Sequence, residues 1–197
     1  CFKKDILNLV YLAEHFGLYE VADFWNEVVK INIWHQHRIS KLIIKKLFGT
    51  LSGKKISILG FAFKSNTNDT RESASIQICK DLLEEGAELI IHDPKVSPDQ
   101  IELDLNIPPK TNSNSYNNEK KKNEGIWNFT SKIESTFTNS DAVVILTDWI
   151  DYSMINWDEA YKRMRHPAWV FDSRSIVNPK KVQKSGINLW RIGDGLK

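Results

Sequence analysis

The chain is poor in cysteine, nearly balanced in charge and without a long apolar run, and each shortage removes a class of protein. Only Cys1 and Cys79 occur in 197 residues, too few for a disulfide framework, so a reduced, cytoplasmic setting is expected. Lys and Arg total 27 against 25 Asp and Glu, a net charge of +2. No whole-molecule field exists to hold nucleic acid or an anionic membrane, and neither is expected as a partner. No apolar run approaches the roughly 20 residues that cross a bilayer, and no secretory signal precedes the first helical pattern. His35 and His37, at i and i+2, do not share a helix face as ligands would, and no metal site is expected. Internal repeats are absent, as is a full GxGxxG. With 41% hydrophobic and 26% charged residues, the chain can bury one ordinary core plus a smaller helical piece.

The stretch that is informative runs from Lys54 to Ser75, KKISILGFAFKSNTNDTRESAS. Ile56 to Leu59 reads as a buried strand of a parallel sheet, ended by Gly60. Asp69 and Glu72 have the spacing of a helix capping box, after which Ile76, Cys79, Leu82 and Leu83 recur at helical spacing. A loop between a parallel strand and a helix is where open α/β sheets hold anions, and this one carries the cations Lys64 and Arg71. Two readings stay open on this pattern: an anion site, or a surface loop with two solvated charges.

Upstream, Cys1-Phe2-Lys3-Lys4-Asp5 opens the chain without an initiator methionine, so a longer parent protein is expected. Ile6, Leu9, Val10 and Ala13 mark a helix face ending at Gly17. A longer periodic segment from Glu20 to about Phe48 places Val21, Phe24, Val28, Ile31, Trp34, Leu42 and Ile43 on one side, with Trp25 beside them. Either it is a core helix of its own domain or it packs against a copy of itself. Gly49 and Gly53 mark the boundary, which predicts a helical region over 1–50 and a sheet domain over 54–197.

Further strands are expected at Ala87–His92, Asp141–Thr147, Ala168–Asp172 and Asn188–Ile192, with a helix near Trp157–Met164. The expected fold class is therefore α/β, a doubly wound, Rossmann-like, mostly parallel sheet preceded by a long helical segment. The polar, Asn- and Lys-rich stretch near 107–125 cannot bury apolar area and reads as a surface insertion. Lys64, Asp93, Thr147-Asp148-Trp149 and Asp172-Ser173-Arg174 fall where strands end, at the edge where such sheets bind ligands. Asp93 suits either a ribose hydroxyl or an ordinary Asp-Pro strand exit. Arg174 suits phosphate, or a surface ion pair with Asp172.

Taken together, CFKKD, LNLVYLAEHFGL, GFAFKSNTNDTRESAS, HDPKV, DAVVILTDW and FDSRSIV resemble the UDP-glucose 6-dehydrogenases, nucleotide-sugar dehydrogenases of eukaryotic type. The resemblance spans nearly the whole chain and stops at the Asn- and Lys-rich insertion. It implies the C-terminal part of an NAD-dependent oxidoreductase: central dimerisation helices followed by the domain that holds the UDP part of UDP-glucose, in a homodimer or higher homo-oligomer. It further implies oxidation of UDP-glucose to UDP-glucuronate in two steps, with Cys1 as the nucleophile that forms a thiohemiacetal and then a thioester. A thiolate suits this role, and Lys4 with the following helix N-terminus would favour it. Asp5 would assist hydrolysis, Phe63, Lys64 and Arg174 would contact substrate, and Lys4 and Arg71 would lie on the NAD side. Ser173 stands where the family commonly has glycine. The alternative is a UDP-sugar-binding and dimerisation module, inactive without an N-terminal NAD domain.

Overall fold

The computed structural model describes residues 2–110 and 125–194; the expectation for Cys1 and most of the predicted insertion lie outside them. The chain divides into two compact units, Cys1–Leu42 and Ile43–Lys197.

The first unit holds α1 (Phe2–His15) and most of α2 (Tyr19–Lys46). Gly17, at φ +71, ends α1 in the left-handed conformation that lets Leu18 N–H reach the Ala13 carbonyl. Val10, Ala13 and Ala22 form a small core, with Trp25 packed on it. The buried stripe of α2 matches its periodicity only toward the end of the helix. Ile43 is fully buried as expected, but Ala22, Val29 and Ile39 are the other buried apolar positions, whereas Val21, Phe24, Ile31 and Trp34 are exposed. Exposed apolar residues on α1 include Phe2, Leu7, Leu9, Tyr11 and Leu12.

The second unit follows with β1 (Lys55–Leu59), α3 (Ala74–Glu84), β2 (Glu88–His92), α4 (Pro98–Leu105), β3 (Ile126–Phe129), α5 (Ile133–Thr136) and β4 (Ala142–Ile145). Then come α6 (Ile150–Ser153), α7 (Trp157–Arg163), β5 (Trp169–Asp172), α8 (Pro179–Lys184) and β6 (Asn188–Arg191). The strands form one sheet of order β3-β2-β1-β4-β5-β6, every pairing parallel. Strands covered on both faces must be apolar throughout, as Ile56, Ile58, Leu59 and the Ala142–Ile145 run are. The one buried polar residue within β1, Ser57, gives its hydroxyl to the Thr136 carbonyl at 2.6 Å.

β3 is the strand that sequence patterning misses. Trp127 is fully buried and donates its indole N–H to the Ile107 carbonyl, and Lys110 N–H donates to the Trp127 carbonyl. The segment before the polar stretch is therefore tied by hydrogen bonds to the strand that follows it. A four-residue strand beside a polar run has too little alternation to stand out.

Strand order reverses between β1 and β4, the switch point outside whose strand ends such sheets bind ligands in a crevice. At this point the backbones approach closely: a Cβ on Gly60 would sit 2.4 Å from the Thr147 Cβ.

Candidate functional site

The crevice is built from the loops after β1, β4 and β5. The capping box expected at Asp69 and Glu72 does not form. Ser73 is the cap of α3, its hydroxyl accepting from Ser75 N–H, while Glu72 takes φ +58. Asp69 instead holds the Arg71 guanidinium through two hydrogen bonds of 2.9 and 2.7 Å. Those bonds, with the Arg71 backbone N–H, pull the Asp69 carboxyl down to about 2. The pair is solvent-facing, with the Arg71 side chain 87% exposed.

The backbone of residues 60–63 is tied at every polar group, and that of Ser65 at its N–H. The Gly60, Phe61 and Ala62 carbonyls accept from Ser75, Ser73 and Thr147 hydroxyls. Phe61 and Ala62 donate their N–H groups to one oxygen of Asp93 at 2.8 and 3.0 Å. Phe63 N–H donates to the Asp69 carbonyl, and Ser65 N–H to the Asp148 carboxylate. The amides that an open α/β sheet commonly offers to phosphate are thus occupied by a side chain of the same protein. A dinucleotide pyrophosphate does not fit here, because its place is taken by the Asp93 carboxylate and no glycine repeat lets the backbone approach.

What remains available is the Lys64 backbone N–H and side-chain chemistry. Phe63 is 39% exposed. Lys64 is exposed and has no hydrogen-bond or ion-pair partner among the described residues. Arg174 joins this group: its Nε donates to the Leu146 carbonyl at 2.6 Å and one Nη to the Phe63 carbonyl at 3.5 Å. The guanidinium therefore bridges the loops after β4 and β1. Asp172 does not pair with it in the way a surface ion pair would. Its buried carboxylate accepts the backbone N–H groups of Arg174 and Val177. Ser173 gives its hydroxyl to the Ile145 carbonyl and is not among the residues at positive φ, so no glycine is required there.

Phe63, Lys64 and Arg174 are thus brought to one crevice. Arg71 lies on the same β1–α3 loop, engaged by Asp69. Lys4 and Asp5 belong to the first turn of α1, in the other unit, and Cys1 is outside the described residues. No group of three metal-ligating side chains occurs among the described residues, and no helix described is long and apolar enough to cross a membrane.

Comparison with known proteins shows the family. The profile of the UDP-glucose/GDP-mannose dehydrogenase family, UDP binding domain, matches residues 57–179. The chain belongs to this family. It is 43% identical to the UDP-glucose 6-dehydrogenase of Drosophila melanogaster, over 98% of this chain and 39% of that protein. It is 39% identical to the UDP-glucose 6-dehydrogenase of Caenorhabditis elegans, over 98% of this chain and 38% of that protein. The chain therefore spans about two-fifths of the curated relatives it matches. Among solved structures, a UDP-glucose dehydrogenase from the archaeon Pyrobaculum islandicum shares the fold. Its TM-score is 0.69 at 24% identity, covering 96% of this chain and 36% of that one.

Sequence reasoning undervalued the groups beneath the crevice of this UDP-glucose/GDP-mannose dehydrogenase family domain. Asp93, Trp149, Tyr152 and His92 form one buried set. Trp149 donates its indole N–H to Asp93 at 3.2 Å, and Tyr152 O–H donates to the His92 carbonyl while lying 2.9 Å from His92 Nδ1. The only outward sign is the pairing of HDP with TDW, whose partners are 56 residues apart.

Burial drives His92 below its ordinary value near 6.5, against the pull of Asp93, the Ser131 backbone, Asp151 and Glu134. A histidine held neutral in the fold but protonated in the unfolded chain makes stability fall as pH drops from 6.5 toward the lower folded value, with no further loss below that value. The urea midpoint should accordingly fall between about pH 7 and pH 5, and His92→Gln should flatten that part of the profile. A wild-type midpoint constant over this range would show that His92 titrates alike in both states. The Asp69–Arg71 pair stabilises the fold above the ordinary carboxylate value of 3.8 and loses that contribution only as pH falls from there toward about 2, so it does not blur this window.

Proposed function

We propose that this chain is the C-terminal part of an NAD-dependent UDP-glucose 6-dehydrogenase, with residues 54–197 holding the uridine diphosphate of the substrate and residues 1–50 belonging to a central helical dimerisation region. The observation that carries this reading is the crevice at the strand-order reversal. There a cation, Lys64, stands unpartnered among the described residues, next in sequence to the half-exposed Phe63, whose carbonyl the Arg174 guanidinium reaches, while the backbone of residues 60–63 is already satisfied. Phosphate oxygens would accept from the Lys64 ammonium and from guanidinium N–H groups that Arg174 does not spend on carbonyls, and the Phe63 ring offers an apolar surface to the uridine or sugar.

In the parent protein, Cys1 would add to the aldehyde derived from C6 of the sugar to give a thiohemiacetal, whose two-electron oxidation, with the hydride passing to NAD, would leave a thioester that water hydrolyses with help from Asp5, releasing UDP-glucuronate and the Cys1 thiol. Lys4 would favour the Cys1 thiolate. NAD, the hydride acceptor that the resemblance implies, does not fit the β1–α3 loop of this sheet, where Asp93 fills the anion position. Its binding is assigned to an N-terminal domain, with Lys4 and Arg71 on its side of the active site. The exposed Phe24, Ile31 and Trp34 of α2 favour self-association through this helix, which sedimentation at several concentrations would reveal. A module limited to UDP-sugar binding and dimerisation is the alternative for the chain by itself.

Calorimetric titration of the 197-residue chain distinguishes a substrate domain from a dinucleotide domain. UDP and UDP-glucose should bind and NAD should not. Losing one charge-assisted contact to phosphate costs about 1.5 to 3 kcal/mol, so Lys64→Ala should weaken UDP by about tenfold or more. Binding of NAD without binding of UDP would overturn the assignment.

A further inference from the structure

We infer that Asp93 is the positioning residue of the substrate crevice, an internal anion that occupies the phosphate position of the strand-loop-helix unit and thereby locks three loops into one arrangement. Its carboxylate is buried and accepts five hydrogen bonds. Oδ2 takes Phe61 N–H, Ala62 N–H and the Trp149 indole N–H, and Oδ1 takes Lys95 N–H and Val96 N–H at 2.9 and 3.0 Å. These donors come from the loop after β1, the loop after β4 and the turn after β2. The first leads directly into Phe63 and Lys64.

The chemistry explains why a carboxylate stands here. Two successive backbone N–H groups at the end of a parallel strand form an anion site, and leaving them buried without an acceptor costs far more than one ordinary hydrogen bond contributes. A charged acceptor that serves several donors at once also strengthens each bond through the others. Because the anion belongs to the protein, the loop is held in its binding shape before ligand arrives. Ligand phosphate is left to the side chains of Lys64 and Arg174. This role rests on the substrate reading given above, but the loop ordering does not require it.

The test is amide hydrogen exchange on the 197-residue chain, with UDP titration alongside. In Asp93→Ala, exchange across residues 61–65 and 147–152 should quicken by about tenfold or more, while the amides of β1, β2 and β4 keep their wild-type protection. UDP should weaken by about tenfold or more as the loop loses its preset shape. Sodium formate, a carboxylate small enough for the vacated position, should restore both slow exchange and UDP affinity, and sodium chloride at equal ionic strength should restore neither.

Uniform loss of protection through the strands would make Asp93 a general stability residue and overturn the inference. Unchanged loops, or formate acting no better than chloride, would overturn it as well. Should Asp93→Ala fail to fold, Trp149→Phe removes a single donor and should quicken exchange at 147–152 alone; an unchanged or evenly weakened pattern in that variant counts against the inference. If wild-type chain bound no UDP, the substrate reading would fall, whereas the exchange results would still decide the role of Asp93.

Discussion

Gly60→Ala should destabilise the sheet unit by about 3 kcal/mol or more and abolish an ordered crevice. Gly60 sits at φ +95, and its added Cβ would lie 2.4 Å from Thr147 Cβ, 2.5 Å from Thr147 Oγ1 and 2.7 Å from Thr147 N. Backbone strain in that conformation costs about 1 to 3 kcal/mol, and forcing a methyl into a filled site costs a similar amount. The neighbour cannot yield, because Thr147 is part of the β4 exit and its hydroxyl holds the Ala62 carbonyl at 2.7 Å. Urea unfolding at constant m-value measures the loss. Adding Thr147→Gly removes the side-chain contacts but leaves the backbone nitrogen and the φ angle, so only part of the stability should return. A Gly60→Ala variant as stable as wild type would mean that the exits of β1 and β4 do not approach this closely.

Cys1→Ser in the full-length parent should lower turnover by about a thousandfold or more, with UDP affinity changed by less than about threefold. An alcohol is a far weaker nucleophile than a thiolate near neutral pH, and the proposed contacts to the uridine diphosphate lie on another unit of the chain. The second thiol cannot take over. Cys79 is fully buried on α3, and burial raises its pKa strongly, which keeps it protonated and inert. Steady-state NADH production and calorimetry on the same preparation separate the two effects. Undiminished turnover would remove Cys1 from the mechanism.

Much of the fold was legible because parallel strands covered on both faces leave an unmistakable mark. Ile56–Leu59, the Ala142–Ile145 run and Trp169–Asp172 are short apolar segments that end at Gly60, Thr147 and Asp172, and these ends are where the crevice forms. Lys64 and Arg174 could be nominated from the same ends. β3 could not, since its single buried anchor, Trp127, depends on the Ile107 carbonyl for a partner. The start of α3 was misjudged because Asp69 had two local options, and the Arg71 guanidinium two residues away outcompetes a helix amide.

By itself, the sequence determined the strand and helix alternation, the parallel class of the sheet and the edge on which ligand-facing residues gather, all consequences of local periodicity and chain order. Only the tertiary structure decided what each polar group at that edge does. Asp93 and Asp172 look like ordinary strand exits in sequence, yet folding places their carboxylates over the amides of residues 61 and 62 and of residues 174 and 177. Arg174 looks like a partner for Asp172, yet it reaches the Leu146 and Phe63 carbonyls. These outcomes depend on distances between segments dozens of residues apart, and a buried donor takes whichever acceptor the packed chain brings within reach.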